Sequence, residues 1–112
     1  MHLFVYGTLT DEEFLHRVTR RPLGHFKIIK AKLPEYKRDS TIKISKCDHD
    51  SSVDGRLILN LDKNDLELLD YYESCNSDNA ETDETNWYNR KIVSVITSDD
   101  ETFNAFVYIP NF

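Results

Sequence analysis

Glu73 is an acid at a position that its neighbours reserve for apolar side chains. On a helix beginning at residue 63, with 100° per residue, it falls between Leu69 and Leu66, and Tyr72 and Leu68 continue the same arc. Burial disfavours an ionised carboxylate and raises its pKa, which is how a glutamate becomes a proton acceptor near neutral pH. A helix that stops early leaves Glu73 facing water instead, and Asp65, which also falls near this arc, reads as a first-turn acid. The second feature is Tyr6-Gly7-Thr8-Leu9. A strand that passes through glycine into a helix start aims unpaired backbone N–H groups at one point, and the helix dipole adds positive potential there. With a single glycine and no lysine, the segment lacks the G-x-x-x-x-G-K-[ST] pattern of a phosphate loop. A carboxylate or another small anion suits it better than a nucleotide; the plainer alternative is a turn without a ligand.

The other polar clusters have ordinary explanations. Asp48, Asp50 and Ser52 match the opening of a calcium loop, but Val53 occupies its glycine position and Leu59 its closing acid position. Lys27, Lys30, Lys32, Lys37, Arg38, Lys43 and Lys46, with Phe26 and Tyr36, could form a nucleic-acid face, yet strand lysines usually cover solvent-facing positions and guard sheet edges. His2, His16, His25 and His49 lack metal-ligand spacing, and no Ser or Cys lies in a nucleophile motif. Cys47 and Cys75 read as ordinary thiols, and Asp78, Glu81, Asp83 and Glu84 as a solvated acidic run. No metal or cofactor is expected.

The elements that must carry Glu73 and the glycine turn follow from periodicity. Residues 2–6 are short, apolar and β-prone, Gly7 breaks the run, and a helix follows that should stop before Pro22. Thr10 with Glu13 has the form of a capping box for it. Residues 24–33, the alternating Ile42 and Ile44, and residues 57–59 are candidate strands. Turn chemistry at residues 48–52 suggests a hairpin between its flanks, with Asp54-Gly55 as a competing turn. Asp62 can cap a helix over residues 63–72 or 73, residues 74–86 read as a mobile polar loop, and residues 88–97 and 102–109 as two closing strands. About six strands and two short helices make an α+β domain whose sheet can curl into a barrel.

The 112 residues suit one domain, residues 1–112, and 39% hydrophobic content with six Phe and six Tyr supplies a core. Fourteen Lys and Arg against twenty Asp and Glu give a formal charge of −6, which disfavours nucleic acid as a partner. No apolar run approaches the ~20 residues of a membrane span, and residues 1–6 are too short and lack the basic lead of a signal peptide, so a cytoplasmic location without membrane attachment is expected. Oligomeric state is not legible.

Leu3-Phe4-Val5-Tyr6-Gly7-Thr8-Leu9, Val53-Asp54-Gly55-Arg56-Leu57, Leu69-Asp70-Tyr71-Tyr72-Glu73, Tyr88-Asn89-Arg90 and Val107-Tyr108 occur in the order of one family. The chain resembles the γ-glutamylcyclotransferase-like (AIG2-like) proteins. The resemblance implies a small mixed β-barrel with flanking helices, and a cofactor-free enzyme that cleaves γ-glutamyl amines or peptides to 5-oxoproline and a free amine. It further implies that the backbone of Tyr6, Gly7, Thr8 and Leu9 holds the γ-glutamyl group, that Glu73 is the acid/base, and that Tyr88 lines the pocket. The length and acidity of residues 74–86 depart from the commoner pattern. The alternative on the same fold is a non-catalytic module that binds a small carboxylate.

Overall fold

Leu3, Phe4 and Val5 are apolar in succession because the strand they form is covered on both faces. The computed structural model describes residues 1–48 and 50–112. In β1 (Leu3–Val5), Phe4 joins one core cluster with Ala31, Leu33, Val53, Leu57, Val95 and Val107, while Leu3 and Val5 join a second with Leu15, Ile58, Leu61 and Leu69. Alternation along the strand separates a barrel interior from a layer shared with the helices.

The chain continues through α1 (Glu12–Thr19), β2 (Ile28–Pro34), β3 (Tyr36–Arg38), β4 (Ile44–Lys46), β5 (Ser52–Ile58), α2 (Lys63–Tyr72), β6 (Tyr88–Thr97) and β7 (Thr102–Pro110). Five strands close a barrel in the order β1-β5-β2-β6-β7; β1 and β7 run parallel, and the other neighbours run antiparallel. This is the expected α+β barrel with flanking helices. The separate pair β3-β4 brings the strands among the described residues to seven rather than about six.

That pair corrects the expected hairpin. The flanks of residues 48–52 do not pair with each other: β4 pairs with β3, whereas β5 pairs with β2 and β1. The β3-β4 hairpin is inserted between the paired strands β2 and β5, with Glu35 in the left-handed region (φ 65°) at its entry. His49, part of the expected turn, lies outside the described residues. Of the two isoleucines read as alternating, only Ile44 is in a strand, and it is buried in the barrel cluster. Asp54-Gly55 is not a turn either, since Gly55 lies within β5 opposite Ala31. A Cβ on Gly55 would stand 2.3 Å from the Val5 carbonyl oxygen and 2.6 Å from Phe4 Cζ, so close approach of β1 demands this glycine.

The helix starts differ in accuracy. α1 is capped by Asp11, whose carboxylate accepts from the Glu13 N–H at 2.9 Å, and not by Thr10, whose hydroxyl donates to the Gly7 carbonyl at 2.6 Å. A 3-10 turn over Thr8–Thr10 takes up the residues that would otherwise have begun the helix. α2 begins as expected. The Asp62 carboxylate accepts from the Asp65 N–H at 2.8 Å, and the Asp65 carboxylate accepts from the Asp62 N–H at 3.0 Å. Residues 74–86, read as a mobile loop, are instead tied down around buried Asn86, which accepts from the Asn76 N–H at 2.8 Å and donates to Asn89 at 3.0 Å.

Candidate functional site

β1 ends beside the C-terminus of α2, so the two sequence features meet. A cavity of about 270 Å³ is lined by Phe4, Val5, Tyr6, Gly7, Thr8 and Leu9 on one side, with Ile42, Tyr72, Glu73, Tyr88 and Tyr108 completing it. All six residues expected at the site, Tyr6, Gly7, Thr8, Leu9, Glu73 and Tyr88, line it together. The hydrogen bonds of the 3-10 turn run from the Thr10 N–H to the Gly7 carbonyl and from the Asp11 N–H to the Thr8 carbonyl. The N–H groups of Gly7, Thr8 and Leu9 precede these donors, as at any helix start. Leu9 contributes backbone, because its side chain is in the core.

Glu73 ends α2. Its N–H still donates to the Leu69 carbonyl at 2.9 Å, so the helical direction persists and the side chain stays on the arc of Leu66 and Leu69. The residue is half-buried, and desolvation pushes its carboxyl up from 4.5 to about 7. Tyr6 and Tyr88 register its proximity. Both phenols are raised above their ordinary value, first by burial and further by the Glu73 charge. At pH 7 the group is therefore poised between acid and base.

The walls are braced by phenol hydroxyls. Tyr6 donates to the Tyr108 carbonyl at 2.6 Å, Tyr72 shares a hydrogen bond with the Thr8 hydroxyl at 3.1 Å, and Tyr88 donates to the Ile42 carbonyl at 2.9 Å. Each bond joins two elements around the cavity. The β3-β4 hairpin thereby becomes a wall of the site, and Arg38 fastens its base by donating to the Tyr6 carbonyl at 2.8 Å.

Sequence reading missed the support one turn before Glu73. Asp70 is buried and accepts from Arg90 Nε at 2.8 Å and Nη2 at 3.0 Å, from the Tyr108 hydroxyl at 2.7 Å and from Ser77 at 2.7 Å. It locks the end of α2 to β6, β7 and the following loop, and so sets where Glu73 points. Asp70 lies four residues after Leu66, a spacing that puts it on the buried side. Ile42 and Tyr108 carried no comparable signal as wall residues.

A larger open groove of about 780 Å³ lies beyond Tyr6, where Lys30, Lys32, Arg38 and Arg56 meet Asp54 and Asp100. Those four basic residues are exposed, in keeping with the plain reading of the strand lysines. Among the described residues no three His, Cys, Asp or Glu side chains converge on a point that could hold a metal ion, and no helix is long and apolar enough to cross a membrane.

No curated protein matches the chain by sequence. Solved structures share its fold. An Arabidopsis thaliana protein known from a solution structure superposes with a TM-score of 0.73 at 23% identity, covering 97% of this chain and 67% of that one. A second Arabidopsis thaliana protein gives 0.75 at 21% identity over 98% of this chain and 61% of its own. A structure described as gamma-glutamyl cyclotransferase gives 0.73 at 17% identity over 98% and 66%. The chain thus spans about two thirds of the length of these structures. The family model described as gamma-glutamyl cyclotransferase, AIG2-like matches residues 3–112, nearly the whole sequence. The chain belongs to the gamma-glutamyl cyclotransferase, AIG2-like family.

Proposed function

We propose that residues 1–112 act as one domain that cleaves γ-glutamyl amines or peptides by intramolecular attack. The substrate's α-amine adds to its own γ-carbonyl carbon, the C–N bond to the amine breaks, and 5-oxoproline and the free amine leave. The observation that carries this reading is a half-buried glutamate, raised to about 7, that lines one cavity together with the residues of the glycine turn.

Each residue then has a role. The α-amine, with an ordinary pKa near ~8, is mostly protonated at neutral pH, and Glu73 takes that proton so that the lone pair can attack. The same carboxyl returns a proton to the departing nitrogen as the tetrahedral intermediate collapses. The backbone of Tyr6, Gly7, Thr8 and Leu9 holds the γ-glutamyl group, and its N–H groups suit either the α-carboxylate or the developing oxyanion. Tyr88 walls the site. Because nucleophile and electrophile belong to one molecule, holding it bent supplies up to roughly 7–11 kcal/mol of the barrier.

Purified protein assayed for 5-oxoproline over a panel of γ-glutamyl compounds tests the proposal. Turnover should fall about 10²–10⁴-fold in Glu73→Gln. Undiminished turnover removes Glu73 from the mechanism. Inactivity on every compound, with saturable thermal stabilisation by small carboxylates, supports the binding module instead.

A further inference from the structure

Arg38 ends β3 opposite Ile44, which is buried in the barrel core, so its backbone is anchored although its side chain is exposed. Among the described residues no carboxylate lies within ion-pair distance of its guanidinium. Its donors go to carbonyls instead. Nη2 donates to the Tyr6 carbonyl at 2.8 Å and more weakly to the Asp54 carbonyl at 3.4 Å, and Nη1 donates to the Thr41 carbonyl at 3.4 Å. One side chain thus joins the glycine turn to β5 and to the loop of the inserted hairpin.

These bonds fix how the Tyr6–Gly7 peptide is turned. β1 has β5 along one edge and β7 along the other. Asp54 belongs to β5 and shares Nη2 with Tyr6, so the Tyr6 carbonyl faces the β5 edge. In a planar trans peptide the following N–H points to the opposite side. The Gly7 N–H therefore faces the β7 edge, where Tyr108 lines the cavity. Among the described residues it donates to no protein acceptor, which leaves it for a ligand. Arg38 lines the outer groove and not the cavity, so it acts without touching a substrate.

We infer that Arg38 is a positioning residue for γ-glutamyl cleavage: by holding the Tyr6 carbonyl it keeps the Gly7 N–H turned into the cavity toward an oxygen of the γ-glutamyl group. This rests on the cyclotransferase reading above. Glycine has no Cβ to resist rotation of the peptide that precedes it, so the orientation needs a clamp from outside. A rotated peptide would present a carbonyl oxygen where the substrate needs a donor.

Arg38→Met keeps the stem and removes the donors, whereas Arg38→Lys returns a donor. In 5-oxoproline release, Arg38→Met should lose about tenfold or more in kcat/KM, the worth of one hydrogen bond from a charged donor, and Arg38→Lys should recover most of it. The acid limb of kcat/KM should stay at the parent's pH in both, since burial is what raises Glu73. The Gly7 amide resonance in ¹H–¹⁵N spectra should move in Arg38→Met and remain near the parent's in Arg38→Lys. Unfolding midpoints above the assay temperature establish that the variants fold, and Arg38→Gln, too short to span the same carbonyls, replaces a Met variant that does not. Parent-like turnover in Arg38→Met, a loss with the Gly7 resonance unmoved, equal losses in Met and Lys, or a displaced acid limb each overturn the positioning role and leave the cyclotransferase reading intact. No 5-oxoproline from the parent with any γ-glutamyl compound overturns both.

Discussion

Replacing Glu73 with Gln should make the protein more stable, and only above a defined pH. The folded carboxyl is raised from 4.5 to about 7 by desolvation. At about 1.4 kcal/mol per pKa unit this corresponds to no more than about 3 kcal/mol, reduced to about 2–3 kcal/mol by solvent reaching the group through the cavity mouth. The folded pKa lies above the unfolded one, so the folded state binds the proton more tightly. Its advantage is complete below about pH 4.5 and is lost as the pH rises through about 7. Glutamine has the shape of the neutral acid and never ionises. The two proteins should therefore be equally stable at pH 4, and Glu73→Gln should lead by about 2–3 kcal/mol at pH 8, with most of the gap opening between pH 5 and 7. Urea unfolding followed by far-UV circular dichroism at pH 4, 6 and 8 measures this, with m-values expected to agree. Other titrating groups are common to both proteins and cancel in the difference. A difference that does not change with pH, or a variant weaker than the parent at pH 8, refutes the desolvated carboxyl. In the parent, the acid limb of kcat/KM should fall at the same value, about 7.

Other substitutions test the scaffold. Gly55→Ala sets a methyl group 2.3 Å from the Val5 carbonyl oxygen, and the strands must separate; a loss of about 1–3 kcal/mol or more is expected, read as a lowered thermal midpoint. Asp70→Asn takes the charge from the buried partner of Arg90, and a loss of about 3–5 kcal/mol is expected in chemical denaturation. Tyr88→Phe removes the 2.9 Å bond to the Ile42 carbonyl, so the hairpin wall loosens; KM should rise severalfold with a smaller change in kcat, and stability should change by no more than about 1 kcal/mol.

The parts of the fold written locally were the parts legible in sequence. α2 begins at Asp62 because its capping partner Asp65 lies three residues on, and Glu73 reveals itself because Leu66 and Leu69 define its face within two turns. The β6 and β7 extents follow from β-prone runs in which Val93 and Val95, then Phe103, Ala105, Val107 and Ile109, recur at every second position, opened by Tyr88 and closed at Pro110. The hairpin pairing was not legible, because the meaning of Gly55 depends on Phe4, a residue some fifty positions earlier that packs against it. Without that contact, Asp54-Gly55 carries the signature of a turn. Ile42 failed for a related reason, since its spacing from Ile44 mimics a strand while its actual fixed point is the Tyr88 hydroxyl.

Three acids lie along the inward side of α2, and their different treatment separates scaffold from candidate chemistry. Asp65 is buried and receives Arg21 Nε at 2.9 Å; Asp70 is buried and receives Arg90 at 2.8 Å along with two hydroxyls. Each is a desolvated charge answered by a guanidinium, the arrangement that burial of an acid requires. Glu73 lies at the helix C-terminus, where the dipole already disfavours a negative charge, and among the described residues no cation lines its cavity. A leucine there would continue the arc without that penalty. What the fold retains instead is a carboxyl that releases its proton near neutral pH and faces the cavity, held in place by the compensated Asp70 one turn before it. An uncompensated acid beside two compensated ones is expected where proton affinity, and not stability, determines the residue.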